Sequence, residues 1–361
     1  MKMERNELIQ HVDLVKSIRV DHPAYTAILE ALGDSLASVG HTATPVCLHI
    51  AGGYRTGKSC AIEDFLAKHP PGRSAEGVRR SIVQATIPHN GTVKALVEAL
   101  LHAFGDPHWA RGSESNQTDR LYDFLKKTGC RMIILDEFQH LCDKGQQSRL
   151  NQTTDWLKNL IEKRPWALVV AGLPESSVII NRNGQLKGRF DESLIMPVFD
   201  WKREEDRPQF CCLVRSFVAE MQPFELPDLG GEELAFRTYL ATGGRLGLFA
   251  KLMDRVVRNA IRARTTKIRL TDLSNAYAKA IWHASRFPIL GGPFLCELPR
   301  GQNDLLNQVI GMAGDAGSDQ EGNGRVQVHG LEGQGNDAAH VPRRTGTRST
   351  AKHREELRRA L

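Results

Sequence analysis

The sequence predicts an α/β fold in which helices cover both faces of a parallel sheet, followed by a smaller helical domain. Three observations carry this prediction. Short apolar stretches alternate with amphipathic ones up to about residue 200, a glycine-rich turn joins the first apolar stretch to a helix, and the strand pattern then stops. Such alternation is typical of right-handed crossovers between parallel strands.

The elements of the α/β part follow from local patterns. A helical segment is expected at about 5–37. The predicted strands are apolar and partly β-branched, and they lie at 45–51, 80–87, 130–137, 166–173 and 193–199. Predicted helices between them lie at 92–104, at 119–129 and in the amphipathic stretch with Leu150, Thr154, Leu157 and Ile161 on one face.

From about residue 201 the pattern is helical. Four helices are expected, at 204–221, 231–242, 245–261 and 270–286. After about 300, glycine and small polar residues dominate, and such a segment buries too little apolar surface to offset its ordering entropy. The predicted organisation is an N-terminal helical extension at 1–40, an α/β domain at 41–200, a helical lid at 201–295 and a mostly disordered tail at 296–361.

The turn after the first strand carries the clearest motif. "GGYRTGKS" matches in full the phosphate-binding loop Gly-x-x-x-x-Gly-Lys-Ser, between a strand and a helix as that motif requires. Lys58 is expected to reach the β- and γ-phosphates, and the Ser59 hydroxyl to bind Mg²⁺. The predicted nucleotide-binding residues are Gly52, Gly53, Tyr54, Arg55, Thr56, Gly57, Lys58 and Ser59.

A second acidic motif follows the strand "RMIILDEF" at 131–138. In a parallel sheet the carboxyl end of this strand lies beside the phosphate loop. Asp136 is therefore expected to orient Mg²⁺, and Glu137 to act as the general base for the attacking water. The sequence contains no Asn-Lys-x-Asp motif for reading guanine, which favours ATP over GTP. The sequence thus predicts an ATPase with ATP and Mg²⁺ as ligands.

Two arginines complete the candidate site. Arg189 precedes the last strand, from where it can reach the γ-phosphate of a neighbouring subunit and neutralise transition-state charge. Arg245 opens a lid helix and is placed to respond to phosphate occupancy from above. Spacing alone equally allows both to be ordinary surface or ion-paired arginines.

Composition limits the other classes. With 41% hydrophobic and 25% charged residues, seven scattered cysteines and no apolar run of membrane-spanning length, a cytoplasmic, nucleoid-associated protein is expected, without membrane contact. The net charge of +6 favours a polyanionic partner. Basic residues concentrate at 255–269 and 343–361, although each run taken alone is also consistent with a solvated face.

Together these motifs resemble the AAA+ ATPases. More narrowly, "GGYRTGKS", "RMIILDEFQHL", "LKGRFDESLIMPVFDW", "CCLVRSFVAEM" and the leader "KSIRVDHPAY" are similar to the TniB family of transposon-encoded ATPases. These are relatives of TnsC and of the target-selection ATPase of phage Mu. The resemblance covers roughly residues 8–290.

The resemblance implies an ATP-dependent DNA-binding regulator of transposition. Such proteins assemble as homo-oligomeric rings or filaments on double-stranded target DNA and recruit or activate the transposase of the same element. By position, Arg189 matches the arginine finger and Arg245 the second sensor. One departure is that strand 166–173 ends in Gly172-Leu173, where a polar first-sensor residue is usual; Ser176 or Ser177 would have to substitute, or hydrolysis would be slow.

Two other functions stay open at this stage: a DNA-replication ATPase such as a helicase loader, and a nucleotide-binding signalling module without nucleic acid. The basic lid and tail weigh against the second. If the protein forms a ring on DNA, residues at the inner edge of the α/β domain face the duplex. On position alone the candidates for DNA contact are Arg79, Arg80, Lys94 and Arg111.

Overall fold

The computed structural model describes residues 9–314, apart from 43, 76, 143–146, 164–165, 282–283, 290–291 and 299–302. Strands and helices alternate up to about residue 200 and helices predominate after it, so the predicted α/β class is confirmed. The strands are, in chain order, β1 Leu48–Gly52, β2 Gly72–Ser74, β3 Gly77–Arg79, β4 Ile82–Thr86, β5 Met132–Asp136, β6 Ala167–Gly172 and β7 Leu194–Met196.

The α-helices are numbered in the same way. They are α1 Leu14–Ser17, α2 Pro23–Ser38, α3 Lys58–Ala67, α4 Val93–Phe104, α5 Glu114–Lys127, α6 Gln147–Lys163, α7 Ser177–Arg182, α8 Gly184–Lys187, α9 Asp206–Ala219, α10 Glu232–Thr242, α11 Leu246–Ala263, α12 Leu270–Ala280, α13 Gly292–Leu295 and α14 Asn303–Gly314. Short 3-10 helices lie at Phe138–Cys142, Pro174–Ser176 and Ala284–Arg286. Of the helices in the described ranges, none is both long and apolar enough to cross a bilayer.

Five strands form one parallel sheet in the order β4-β5-β6-β1-β7. Its inner strands β5, β6 and β1 are buried along their length because both faces are covered, and they are mostly apolar, as in "MIILD" of β5. Side chains of β5 alternate between the faces, so that Ile133 and Leu135 join one core while Met132 and Ile134 join the other. Helices α4, α5 and α6 cover the first face, and α2 and α3 cover the second.

The helices after the sheet pack around their own core. Its centre is aromatic, with the Trp201 ring 5.5 Å from that of Tyr239, and Phe210 5.8 Å from Tyr239. This helical lid connects to the sheet by two backbone hydrogen bonds. The Phe199 amide donates to the Gly244 carbonyl at 3.2 Å, and the Gly247 amide donates to the Arg55 carbonyl at 2.8 Å. The second bond joins the phosphate loop directly to the first turn of α11.

The N-terminal segment, where a helical approach is expected at about 5–37, is divided into two helices. It contains α1 and α2, separated where His22 is extended and Pro23 starts the new helix, because proline restricts the preceding residue to extended conformations. Residues 5–8 of the prediction lie outside the described residues. Val15 of α1 packs in the lid core, whereas Ile28 of α2 packs under the sheet.

Three further differences concern the strands and the tail. Strands β2 and β3 form an antiparallel hairpin that the sequence did not predict. The last sheet strand ends at Met196, because Pro197 cannot donate a ladder hydrogen bond. The tail is predicted to be mostly disordered, and within it residues 303–314 form α14, which buries Leu305, Leu306 and Val309 in the lid core. The remaining tail, including the basic segment 343–361, lies outside the described residues.

Candidate nucleotide-binding site

The phosphate loop lies between β1 and α3, at the carboxyl edge of the sheet. Gly57 immediately precedes α3 with a φ of 111°, a conformation that only glycine adopts without strain. A Cβ at Gly52 would lie 2.7 Å from the Met196 carbonyl oxygen, so no side chain fits between β1 and β7 there. The Thr56 hydroxyl donates to the Gly53 carbonyl at 2.9 Å and closes the loop on itself. This arrangement brings the backbone amides that open α3 to the position where phosphates bind.

Lys58 lies over the loop. Its Nζ donates to the carbonyl oxygens of Gly52 at 2.7 Å and Gly53 at 2.9 Å. Burial lowers the pKa of Lys58 from its ordinary value, and the nearby carboxylates of Asp136 and Glu137 oppose that shift. Because neutral carbonyls hold the ammonium, it can turn to phosphate oxygens without breaking an ion pair.

Ser59 and Asp136 form the candidate metal pair. The Ser59 hydroxyl donates to Asp136 Oδ2 at 3.0 Å, and Asp136 is buried at the end of β5. Among the described residues no group of three or more His, Cys, Asp or Glu side chains is arranged to hold a metal. The Ser59–Asp136 pair fits Mg²⁺, which binds through one or two protein oxygens together with phosphate oxygens and waters.

Glu137 follows in an unusual backbone conformation. Its φ is 58°, in the left-handed region that is uncommon for a non-glycine residue and that clusters at functional sites. The Glu137 amide donates to Asp136 Oδ1 at 2.8 Å, which orients the Asp136 carboxylate at the strand end. The Glu137 carboxylate accepts a hydrogen bond from Gln139 Nε2. The structure thus brings Lys58, Ser59, Asp136 and Glu137 to one edge of the sheet.

Gln139 is a site residue that sequence reasoning missed. Its Oε1 accepts from the Leu173 amide at 3.1 Å, at the end of β6, while its Nε2 donates to Glu137. The signal in the sequence was the polar residue two positions after Glu137 in "DEFQH". The role of this polar residue depends on where the end of β6 lies, and a local sequence pattern does not predict that position.

The two serines considered as substitutes for a first sensor form their hydrogen bonds with other groups than Glu137. Ser176 is fully buried, and its hydroxyl donates to the Leu173 carbonyl at 2.5 Å and contacts His49 Nε2 at 2.9 Å. The Ser177 hydroxyl donates to the Pro174 carbonyl at 2.8 Å. Neither serine has a hydrogen bond to Glu137 among the described contacts.

Arg245 lies at the start of α11, beside the bond from Gly247 to the phosphate loop. Its Nη1 donates to the Gly243 carbonyl at 3.3 Å, while its buried Nε has no partner within the described part of the chain. Burial lowers the pKa of Arg245, an effect that Tyr239 opposes. A buried guanidinium N–H without a partner costs free energy that an anion at this position would recover. No described contact joins the Arg245 guanidinium to the phosphate loop, so the role predicted for this residue stays a prediction.

Arg189 lies at the other end of β1. The Cys47 amide, just before β1, donates to the Arg189 carbonyl at 3.2 Å. The phosphate loop follows the last residue of β1, about 16 Å along the strand at a rise of roughly 3.3 Å per residue. Arg189 Nη2 is 3.6 Å from Glu162 Oε1. The structure does not bring Arg189 to the phosphate loop of its own subunit.

The four candidates for DNA contact lie in the segments around the edge strand β4 and helix α4, and their role stays a prediction. Arg79 is exposed on β3, and Arg80 donates through Nη1 to a carbonyl near the end of α4. Both precede β4. Lys94 lies in the first turn of α4, beyond the opposite end of β4, and forms a loose ion pair with a glutamate one turn later. Arg111 is exposed in the loop between α4 and α5.

Comparison with known proteins places the chain in a family. The sequence profile of the family described as "Bacterial TniB protein" matches residues 12–203, more than half of the 361 residues. That range begins just before α1 and ends before α9, so it includes the phosphate loop, both carboxylates and Arg189. A comparison with curated protein sequences found no match.

Solved structures show similarity in fold. The Aeropyrum pernix ORC1 protein in complex with DNA has a TM-score of 0.54 at 18% identity, covering 74% of this chain and 69% of that chain. The Aeropyrum pernix ORC2 protein in its ADPNP–ADP complexes has a TM-score of 0.53 at 12% identity, covering 75% and 72%. Pyrobaculum aerophilum Cdc6p has a TM-score of 0.53 at 13% identity, covering 75% and 71%. These similarities confirm the predicted fold, a parallel sheet covered by helices and followed by a helical lid.

Proposed function

This chain belongs to the TniB family, and from that premise we propose that it is an Mg²⁺-dependent ATPase that assembles on target DNA and recruits or activates a transposase. The observation that carries the ATPase part is the convergence of Lys58, the Ser59–Asp136 pair and Glu137 at one edge of the sheet. A phosphate loop with Lys58 alone would serve binding. The additional carboxylate at a strand end gives water a general base.

In the proposed reaction each residue has one task. The loop amides and Lys58 hold the phosphates, and Ser59 and Asp136 would hold Mg²⁺, which would supply positive charge against the charge that develops during transfer. Glu137 takes a proton from the water that attacks the γ-phosphate. Arg245 contacts the nucleotide from the lid, and the bond from Gly247 to Arg55 transmits the state of the loop to α11.

The position of Arg189 supports an oligomer. An arginine about 16 Å from its own phosphate loop along β1 acts on phosphate only if a neighbouring subunit presents its site. Its ion pair with Glu162 is partly exposed, at 24% and 41% of the side chains, and contributes little stability. The guanidinium can therefore leave Glu162 when a second copy of the chain docks. A ring or filament follows from repeating this head-to-tail contact.

Basic residues on α11 support DNA binding. Lys251, Arg255 and Arg262 are spaced by four and seven residues, so they lie along one side of the helix. Burial lowers the pKa of Lys251, and the charges of Arg55 and Arg255 act in the same direction, which shows that these cations are close. Such repulsion is relieved by an anionic partner. The similar Aeropyrum pernix ORC1 protein was solved in complex with DNA.

The alternatives make different predictions. A DNA-replication ATPase such as a helicase loader would share the sheet and the lid but would stimulate no transposase. A nucleotide-binding signalling module would bind nucleotide without duplex DNA. Stimulation of a transposase by the purified protein separates the first alternative from the proposal, and ATP-dependent DNA binding separates the second.

The direct test of the ATPase is the Lys58→Ala variant. It removes the charge that serves the phosphates, whereas the hydrophobic cores do not contain this side chain. We expect Mg²⁺-dependent ATP hydrolysis and nucleotide binding to fall below detection while the thermal unfolding transition is retained. The matched control is Lys68→Ala, an exposed lysine just beyond the other end of α3 that should leave turnover unchanged. Normal turnover by Lys58→Ala would remove the basis of the proposal.

A further inference from the structure

We infer that Gln139 is the positioning residue for Glu137, and that its amide joins the catalytic carboxylate to the end of β6. The inference rests on the proposed hydrolysis of ATP, in which Glu137 is the general base. Gln139 lies in the 3-10 helix Phe138–Cys142, directly after β5. One side-chain amide thus connects the ends of two neighbouring strands, β5 and β6.

The chemistry of the partners fixes the orientation of this amide. The Leu173 backbone N–H can only donate, so the atom of Gln139 that faces it at 3.1 Å must be the carbonyl oxygen. The NH₂ group then points at Glu137, whose carboxylate can only accept when ionised. Gln139 therefore holds the Glu137 side chain in one orientation.

Gly172 leaves the space that Gln139 occupies. A Cβ at Gly172 would lie 2.7 Å from Gln139 Oε1 and 3.2 Å from the Phe138 amide nitrogen, so a larger residue at this end of β6 requires the Gln139 amide to move. Gly172 at the end of β6 thus leaves the space that the Gln139 side chain, which follows β5, fills. The polar group beside Glu137 comes from the 3-10 helix after β5 rather than from β6.

The helix that carries Gln139 is firmly held. Phe138 and Leu141 are buried in the core on one face of the sheet, and His140 Nδ1 contacts the Ile87 carbonyl at 2.8 Å. The His140 amide also donates to the Glu137 carbonyl at 3.0 Å. These contacts hold the backbone of Glu137 in its left-handed conformation. The Glu137 side chain can still rotate, and it needs a separate partner to fix it. Gln139 is that partner.

The test measures steady-state ATP hydrolysis by Gln139→Leu and Gln139→Glu. Leucine removes both hydrogen bonds, while glutamate keeps the shape and an acceptor for Leu173 but places a second negative charge beside Glu137. We expect kcat to fall about 10- to 100-fold for each variant, with KM for ATP and nucleotide affinity within about twofold of wild type. Gln209→Leu, at an exposed glutamine on α9, is the matched control and should be neutral.

The position of Gly172 gives a second, independent readout. Gly172→Ala should lower kcat alone, because its Cβ displaces the Gln139 amide. In a Gln139→Ala background the same change should add little, so the two effects are expected to be strongly non-additive. Additive effects would overturn the inference, as would wild-type kcat in Gln139→Glu or a loss that appears only in KM.

Glu137→Gln, measured in parallel, separates this inference from the function on which it rests. Loss of hydrolysis in Glu137→Gln with normal turnover in both Gln139 variants would overturn the role of Gln139 alone. Normal hydrolysis in Glu137→Gln would overturn the assignment of the general base and, with it, the reason for positioning that side chain. Thermal unfolding of every variant confirms that loss of kcat is not loss of fold.

Discussion

If Arg189 acts across a subunit interface, two inactive variants should restore activity to each other. Arg189→Ala removes the finger but leaves its own phosphate loop and Glu137 intact. Glu137→Gln removes the base but leaves Arg189 in place to serve a neighbour. At a mixed interface, the Arg189→Ala subunit can supply the phosphate loop and Glu137 while the Glu137→Gln subunit supplies Arg189. Such an interface contains every catalytic group.

The expected magnitudes follow from the geometry. Arg189 lies about 16 Å along β1 from its own phosphate loop, so its removal spares nucleotide binding by a single subunit. Loss of a finger supplied in trans lowers the rate in the assembly by about 10³-fold or more. In a random 1:1 mixture in a head-to-tail assembly, about one interface in four combines both intact halves. The mixture should therefore recover about a quarter of the wild-type rate.

The assay is ATP turnover at fixed total protein as the ratio of the two variants is varied. Activity should be near zero at both ends and greatest at equal amounts. Arg203→Ala, at an exposed arginine just before α9, is the control and should behave as wild type when measured alone. No recovery, with co-assembly verified by cross-linking, would refute the trans assignment and leave Arg189 acting in cis or not at all.

Two further predictions concern stability and turnover. His49 is fully buried between the Ser176 and Ser193 hydroxyls, and burial lowers its pKa to about 4. Below about pH 6.5 His49 is protonated in the unfolded chain but stays neutral in the folded protein. The free energy of unfolding should therefore fall by about 2 kcal/mol between pH 8 and 5. Urea unfolding measures this, and a pH dependence that persists unchanged in His49→Gln would contradict it. Glu137→Gln should bind ATP normally, lose hydrolysis and form longer-lived DNA complexes, and normal turnover would move the base elsewhere.

Those parts of the site that are local in sequence were predictable. The phosphate loop depends on backbone conformations that glycine allows at fixed spacing, so "GGYRTGKS" identifies Lys58 and Ser59 directly. Asp136 and Glu137 follow an apolar strand whose end must lie beside that loop in a parallel sheet. The hydrogen bond between Ser59 and Asp136 at 3.0 Å agrees with this reasoning.

The remaining features depend on contacts between distant segments. Gln139 can position Glu137 only because the end of β6 lies beside it. In the sequence, Gly172 is simply a glycine where a polar first-sensor residue is usual, because its contact with Gln139 is not visible there. The helix at 303–314 was assigned to the tail because glycine and polar residues dominate the wider segment. Its Leu305, Leu306 and Val309 share one helical face and are buried in the lid core. The composition of the segment did not predict this burial, because it depends on a contact with the lid.

The most direct test of the central claim is the binding of fluorescent duplex DNA by the purified protein with ATP, with ADP and without nucleotide. The account predicts binding that requires ATP, shows little sequence preference and weakens with salt, by roughly −0.9 in log K against log [salt] for each phosphate neutralised. Truncation after Gly314, which keeps α14, should preserve it. Binding that ignores the nucleotide, or that disappears with the residues beyond 314, would contradict ATP-driven assembly on DNA.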